Sequence, residues 1–148
     1  MGRILAIASG GGHWVQLMRL RPAFDDLDVA YCSVQKDYAE QVQGRRFYAI
    51  RDVSRRNPLS SMMVFFQLLL VFVRERPDLL VTTGSAPALI AILISRFFRV
   101  KSLWIDSVAN CEQLSTSGRN AARFASKCVS QWPEVARDNG LDYWGSVL

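Results

Sequence analysis

Residues 3–13, RILAIASGGGH, decide how the rest of the chain is read. Arg3 to Ser9 is a compact apolar run closed by three glycines, which suits a buried parallel strand. His13 to Phe24 then continues with helix-like spacing, so the unit is strand, glycine turn, helix. Gly10, Gly11 and Gly12 let the backbone take conformations closed to other residues and bring N–H groups to an anion at the start of the helix. Phosphate recognition is the functional reading of that turn, and a tight strand-to-helix connection is the plain one. His13 is the only histidine of the chain. The dipole at a helix N-terminus favours its neutral imidazole, which can take a proton from a hydroxyl or bond a phosphate.

Outward from this unit the alternation repeats. Val29 to Val34 reads as a second strand, then come the polar segment Gln35 to Gly44 and a short apolar piece at Phe47 to Ile50. Pro58 to Val73 carries no charge and predicts a long helix, stopped near Pro77. Asp78 to Thr83 is a strand, Ala86 to Phe98 an apolar helix starting near Pro87, and Lys101 to Asp106 a fifth strand. Gly118 to Ser126 predicts a short helix and Lys127 to Gln131 a sixth strand, before a tail from Glu134 to Leu148. Strands alternating with helices predict one Rossmann-like α/β domain with a parallel sheet over residues 1–148 and ligands at the carboxyl ends of the strands. Gly10 to His13, Gly84 to Pro87, Asp106 to Asn110 and Gln131 to Glu134 each follow a predicted strand, so all four turns are expected along one edge.

A dinucleotide fingerprint needs glycine where the run from Gly10 places Val15, and an acid where Gln35 and Lys36 follow the second strand. A nucleotide-dependent oxidoreductase is therefore disfavoured, and no Gly-Lys-Ser/Thr follows the glycines to make a nucleotide-hydrolysing loop. The 148 residues carry a formal charge of +5, from 15 Arg and 3 Lys against 13 acidic residues. Arginine favours forked contacts to phosphate or carboxylate. Nucleic acid is not the expected partner, because the arginines flank an apolar helix and no basic stripe is interleaved with exposed aromatics. Cys32, Cys111 and Cys128 are odd in number and widely spaced, which signals neither a disulfide framework nor a zinc site but reduced, cytosol-facing thiols. The N-terminal run is too short for a signal sequence.

The helix of residues 58–73 is apolar nearly all round but short of the about 20 apolar residues that span a bilayer. Either it is a core helix with solvated arginines at its ends, or it lies against a membrane. Arg45, Arg46, Arg51, Arg55 and Arg56 precede it, and Arg74 and Arg76 follow it, as anionic headgroup contact requires. Membrane contact is the favoured reading, through Phe65, Phe66, Leu69 and Phe72 with Arg55 and Arg56.

SGGGHWVQLMRL (9–20), VTTGSAPALIAI (81–92), SLWIDSVAN (102–110) and VSQWPE (129–134) together resemble the acceptor-binding subunit of the two-subunit N-acetylglucosaminyltransferase of dolichol-linked oligosaccharide assembly. The chain is also similar to bacterial PssD-type capsule and exopolysaccharide proteins. The resemblance implies the N-terminal half of a two-Rossmann-domain (GT-B) glycosyltransferase divided over two polypeptides. This half would carry the lipid-diphosphate-linked acceptor and the membrane surface, and a donor-binding partner subunit would bring the UDP-sugar. It implies no metal and no cofactor, and a peripheral place on the cytoplasmic face of the inner membrane. By similarity Gly10, Gly11, Gly12, Gly84, Ser85 and Asn110 would bind substrate, and His13 and Asp106 are the candidate catalytic residues.

Two departures stand out. Eukaryotic relatives begin with a membrane-spanning anchor where this chain begins at its first strand, so attachment is expected through the middle helix or a partner. Asp106 stands where many relatives have glutamate, which shortens the reach of the carboxylate. Trp132, Tyr143, Trp144 and Leu148 are expected to dock the partner, as aromatic anchors commonly do; packing of the tail on its own domain is the alternative. A non-catalytic membrane scaffold that recruits a catalytic partner is the rival function.

Overall fold

The apolar runs form strands because β-branched and aliphatic residues fit a pleated surface covered on both sides. The computed structural model describes residues 2–24, 26–54 and 56–147. In chain order the elements are β1 (Arg3–Ile7), α1 (Gly12–Leu20), β2 (Asp28–Ser33), β3 (Arg46–Ala49), α2 (Pro58–Glu75), β4 (Leu79–Thr82) and α3 (Ala86–Phe97). They continue with β5 (Lys101–Ile105), α4 (Thr116–Phe124), β6 (Lys127–Ser130), α5 (Pro133–Asp138) and β7 (Asp142–Tyr143). The seven strands make one sheet in the order β3-β2-β1-β4-β5-β6-β7, and every pairing is parallel. All carboxyl ends therefore lie on one edge, and the order reverses between β1 and β4.

Alternation divides the core. Leu5 and Ile7 of β1 pack with Val64, Leu68, Ile92 and Trp104 under α2 and α3, whereas Ile4 and Ala6 pack with Trp14, Leu17 and Tyr31 beneath α1. α2 begins at Asn57, whose side chain accepts the Leu59 N–H, with Pro58 in its first turn. It ends at Arg76 with φ +47. Its Glu75, 6% exposed, accepts from Tyr48 Oη and is paired with Arg46 at 2.9 Å, which ties the helix end to β3.

Two expectations are corrected here. The segment from Glu134 onward is not a bare tail, since it supplies most of α5 and the edge strand β7, which Lys127 pins to β6 through an ion pair with Asp142. Phe72 does not face outward. It is 2% exposed and stacks on Phe98 at 6.0 Å, because it shares the inward stripe of Val64, Leu68 and Val71. Leu69 is half-buried against the core. Phe65 and Phe66, in contrast, are 40% and 55% exposed, together with Leu59, Met62, Leu70 and Val73 on the outer side. α2 is thus apolar on both stripes: one stripe is core and the other is open. It runs on to Glu75, 18 residues in all and longer than the uncharged run read from the sequence, and by length and composition alone it is the one described helix long and apolar enough to cross a membrane. Arg55 and Leu148, expected in membrane and partner contact, lie outside the described residues.

Candidate functional site

The carboxyl edge gathers the four turns as the alternation requires, and hydrogen bonds knit them together. At the glycine turn, Gly10 passes so close to Gln35 that an added Cβ would lie 2.9 Å from its Nε2. Gly11, at φ +67, caps α1 without any side-chain bond. Its own N–H is taken by the Tyr38 hydroxyl at 3.0 Å, and Tyr38 is held by stacking on Trp14 at 4.6 Å. The amides of Gly12 and His13, in the uncapped first turn of α1, are then the groups placed to meet an anion. Gly12 is exposed with open space where a side chain would be.

His13 is clamped to the turn after β4. Its Nδ1 lies 2.9 Å from the Thr83 carbonyl, and the Thr83 hydroxyl donates back to the His13 carbonyl at 2.6 Å. A carbonyl only accepts, so the neutral ring carries its proton on Nδ1 and leaves Nε2 as a hydrogen-bond acceptor and base. Gly84, at φ +111, admits the ring: a Cβ there would be 3.1 Å from His13 Cε1 and 3.2 Å from Nδ1. Ser85 follows at φ +110, a region that costs a residue with a side chain about 1–3 kcal/mol. Its Oγ is buried without a hydrogen-bond partner. Strain and an orphaned hydroxyl next to His13 mark this turn as built for more than chain reversal.

Asp106 is 1% exposed, and both its oxygens are occupied. Oδ1 accepts from Trp104 Nε1 at 3.1 Å and Ser115 Oγ at 2.8 Å, and Oδ2 from Asn110 Nδ2 at 3.0 Å and the Ser115 amide at 3.2 Å. Gly118 is needed beside it, because a Cβ there would sit 2.4 Å from Oδ1. The carboxylate therefore organises the loop after β5 and the start of α4, and Asn110 is one of its ligands. This geometry gives it no lone pair free for a substrate proton.

Two glutamines hold the edge together: Gln16, which the sequence does not single out, and Gln131, read from the sequence only as the first residue of its turn. Gln16, 4% exposed, donates from Nε2 to Gly12 O at 3.2 Å and Ser107 Oγ at 3.0 Å, and accepts at Oε1 from Val108 N at 3.0 Å. Gln131, 3% exposed, donates to Gln16 Oε1 at 2.6 Å and Asp106 O at 2.9 Å. Its own Oε1 accepts the Val147 N–H at 2.9 Å, and Arg19 binds the Val147 carbonyl at 2.7 Å. The end of the chain thus lies back on α1 and β6, around a cavity of about 190 Å³ lined by Leu20, Gln131, Trp144 and Val147 among others. Trp132 is half-buried and donates to Val108 O at 2.7 Å. Tyr143 and Trp144 are 48% and 61% exposed. Among the described residues no three His, Cys, Asp or Glu side chains come together as a metal site.

No family model matches the chain. It is 24% identical over 177 residues to the UDP-N-acetylglucosamine transferase subunit ALG14 of Eremothecium gossypii, an alignment covering 98% of this chain and 79% of that protein. The fold matches MurG of Acinetobacter baumannii with a TM-score of 0.76 at 14% identity, over 91% of this chain and 43% of that one. It matches UDP-N-acetylglucosamine 2-epimerase of Rickettsia bellii with a TM-score of 0.73 at 14% identity, over 99% and 45%. The chain spans less than half the length of these solved structures. Its single α/β domain corresponds to one half of their two-domain GT-B fold.

Proposed function

We propose that this chain is the acceptor-side subunit of a UDP-sugar glycosyltransferase whose donor-binding half is a separate polypeptide. The observation that carries the reading is the alignment of 98% of this chain with 79% of a protein named as a UDP-N-acetylglucosamine transferase subunit. The acceptor is a lipid-diphosphate-linked sugar in bacterial capsule or exopolysaccharide assembly, and the place of work is the cytoplasmic face of the inner membrane. The open stripe of α2, with Phe65, Phe66 and Leu70 outward and Arg56 and Arg74 exposed near its two ends, is the face that meets the bilayer. Exposed apolar surface of this extent on a small domain marks an interaction site. Tyr143 and Trp144 are the exposed aromatics offered to the partner.

The proposed chemistry follows from the carboxyl edge. The acceptor diphosphate lies on the amides of Gly12 and His13. The acceptor hydroxyl lies against His13 Nε2, which takes its proton as the oxygen bonds to the donor sugar carbon and the bond to UDP breaks. Positioning by the two chains does most of the work, and the base adds roughly 10²–10⁴-fold. Asp106 supports the loop and takes no proton. The test is His13→Ala in the assembled complex, with complex formation checked by co-purification. A fall in transfer of a hundredfold or more fits the assignment; full activity removes it and favours a scaffold that contributes no reacting group.

A further inference from the structure

At the edge opposite the glycine turn, where α3 ends and β5 begins, the chain reads Arg96-Phe97-Phe98-Arg99-Val100-Lys101-Ser102. A shallow cavity of about 220 Å³ opens there, lined by Arg96, Arg99, Lys101, Ser102 and Ser126 among others. No carboxylate lies within ion-pair distance of these three cations among the described residues, although the nearby Lys127 is paired with Asp142. Like charges gathered without a counter-ion repel one another, and an anion would relieve that repulsion. The two serines add neutral donors. The backbone N–H of each donates to the hydroxyl of the other, both at 3.0 Å, so each hydroxyl still has its own proton to give.

Backbone geometry adds an independent sign. Arg99 closes α3 at φ +57, and Arg76 closes α2 at φ +47. Helices that end in the left-handed conformation usually place glycine or asparagine there. This chain twice accepts a strained backbone at the same edge and gains a guanidinium each time. Arg76 lines a neighbouring cavity of about 390 Å³ with Phe72, Phe98 and Val100, and Val100 also lines the cationic cavity. Next to Arg96, Phe97 is 82% exposed and borders an apolar groove of about 290 Å³ formed with Phe65, Leu69 and Leu93.

We propose that Arg96, Arg99, Lys101, Ser102 and Ser126 bind the phosphate of an anionic phospholipid headgroup, whose acyl chain lies in the groove of Phe65, Leu69, Leu93 and Phe97. The site lies at the far edge from His13 and is distinct from the acceptor site. It rests on the reading that the α2–α3 face meets a bilayer.

The test is co-sedimentation of the full chain with vesicles of phosphatidylcholine alone and of phosphatidylcholine with about one part in three of phosphatidylglycerol. The gain in affinity on adding phosphatidylglycerol is the readout. Arg99→Gly is expected to reduce that gain about fivefold and Arg96→Gln with Arg99→Gln roughly twentyfold or more, from the usual contribution of each cation at an anionic surface. Arg137→Gln, the same loss of one charge on α5, changes it less than about twofold. Arg99→Gly melts no lower than the parent, because glycine fits the left-handed position, so the loss cannot be ascribed to unfolding. Equal losses for Arg99→Gly and Arg137→Gln, or no loss for either, overturn the site. In a parallel titration, inorganic phosphate that binds tightly enough to abolish vesicle binding identifies free phosphate as the ligand and overturns the lipid proposal. If the parent binds neither vesicle, the bilayer reading itself fails; if it binds both and the arginine variants leave the gain intact, only the site fails.

Discussion

Replacing Gln131 with leucine keeps the volume of the side chain and removes three hydrogen bonds, those to Gln16 Oε1, Asp106 O and the Val147 N–H. The consequences differ by partner. Gln16 Oε1 keeps the Val108 N–H, and Val147 is half-buried, so its amide can turn to water. The Asp106 carbonyl stands in a buried residue and loses the side-chain donor that reaches it. One buried acceptor left bare costs about 1–3 kcal/mol, and each of the other two bonds is worth about 1 kcal/mol. The expected loss is about 3–5 kcal/mol, or a fall in Tm of roughly 6–20 °C for a chain of this size. Urea and thermal melts measure the loss, and hydrogen exchange at Val147 reports whether the end of the chain has come free. Gln131→Glu keeps an acceptor for Val147 but turns a carboxylate on Gln16 Oε1 and Asp106 O, so it is expected to destabilise while Val147 stays protected. A loss below about 1 kcal/mol for Gln131→Leu, with Val147 exchanging as before, would refute the view that these two glutamines join the chain end to the glycine turn.

Other outcomes follow from single contacts. Gly84→Ala puts a methyl group 3.1 Å from His13 Cε1 at a backbone φ of +111, and is expected to cost about 1–3 kcal/mol and to displace the ring from Thr83; transfer by the assembled complex should fall tenfold or more. Phe72→Ala, in the core, is expected to cost about 3–5 kcal/mol, whereas Phe66→Ser leaves stability within about 0.5 kcal/mol and weakens vesicle binding; equal effects on melting would contradict the two-stripe account of α2. Cys111 is exposed while Cys32 and Cys128 are buried, with burial pushing both buried thiols from 9.0 up to about 12. Only Cys111 should therefore alkylate in the native protein at neutral pH. Between those two values the folded state keeps protons that the unfolded chain releases, so stability should fall as pH rises above about 9; a flat urea midpoint from pH 8 to pH 10.5 contradicts this.

The order of the elements was readable because each buried strand is a short Val/Ile/Leu-rich run that ends at a turn residue. The place of the four turns followed from parallel topology alone. α5 and β7 escaped because six helical residues and two strand residues carry no periodicity that distinguishes them from a loop. Phe72 was misplaced for a related reason: when both stripes of α2 are apolar, composition does not say which stripe meets the sheet, and the register of Val64, Leu68 and Val71 decides it. His13 and the glycines were visible from their position after β1, but the clamp from Thr83 was not, since it joins residues 70 apart. Gln16 and Gln131, 115 apart, left only the faint signal of an amide within an otherwise apolar stretch. Asp106 showed the reverse failure. An acid at a strand end suggests chemistry, and only its surrounding donors reveal a carboxylate occupied with holding its own loop.

The central claim is that the carboxyl edge of this sheet is one wall of a cleft and that another polypeptide supplies the facing wall. The most direct measurement is transfer of labelled sugar from UDP-N-acetylglucosamine and other UDP-sugars to a lipid-diphosphate-linked acceptor in vesicles. It is run with this chain alone, with the donor-binding polypeptide alone, and with both. The account predicts product only with both present, at a rate that saturates at one-to-one stoichiometry; substantial turnover by the purified chain alone would contradict it.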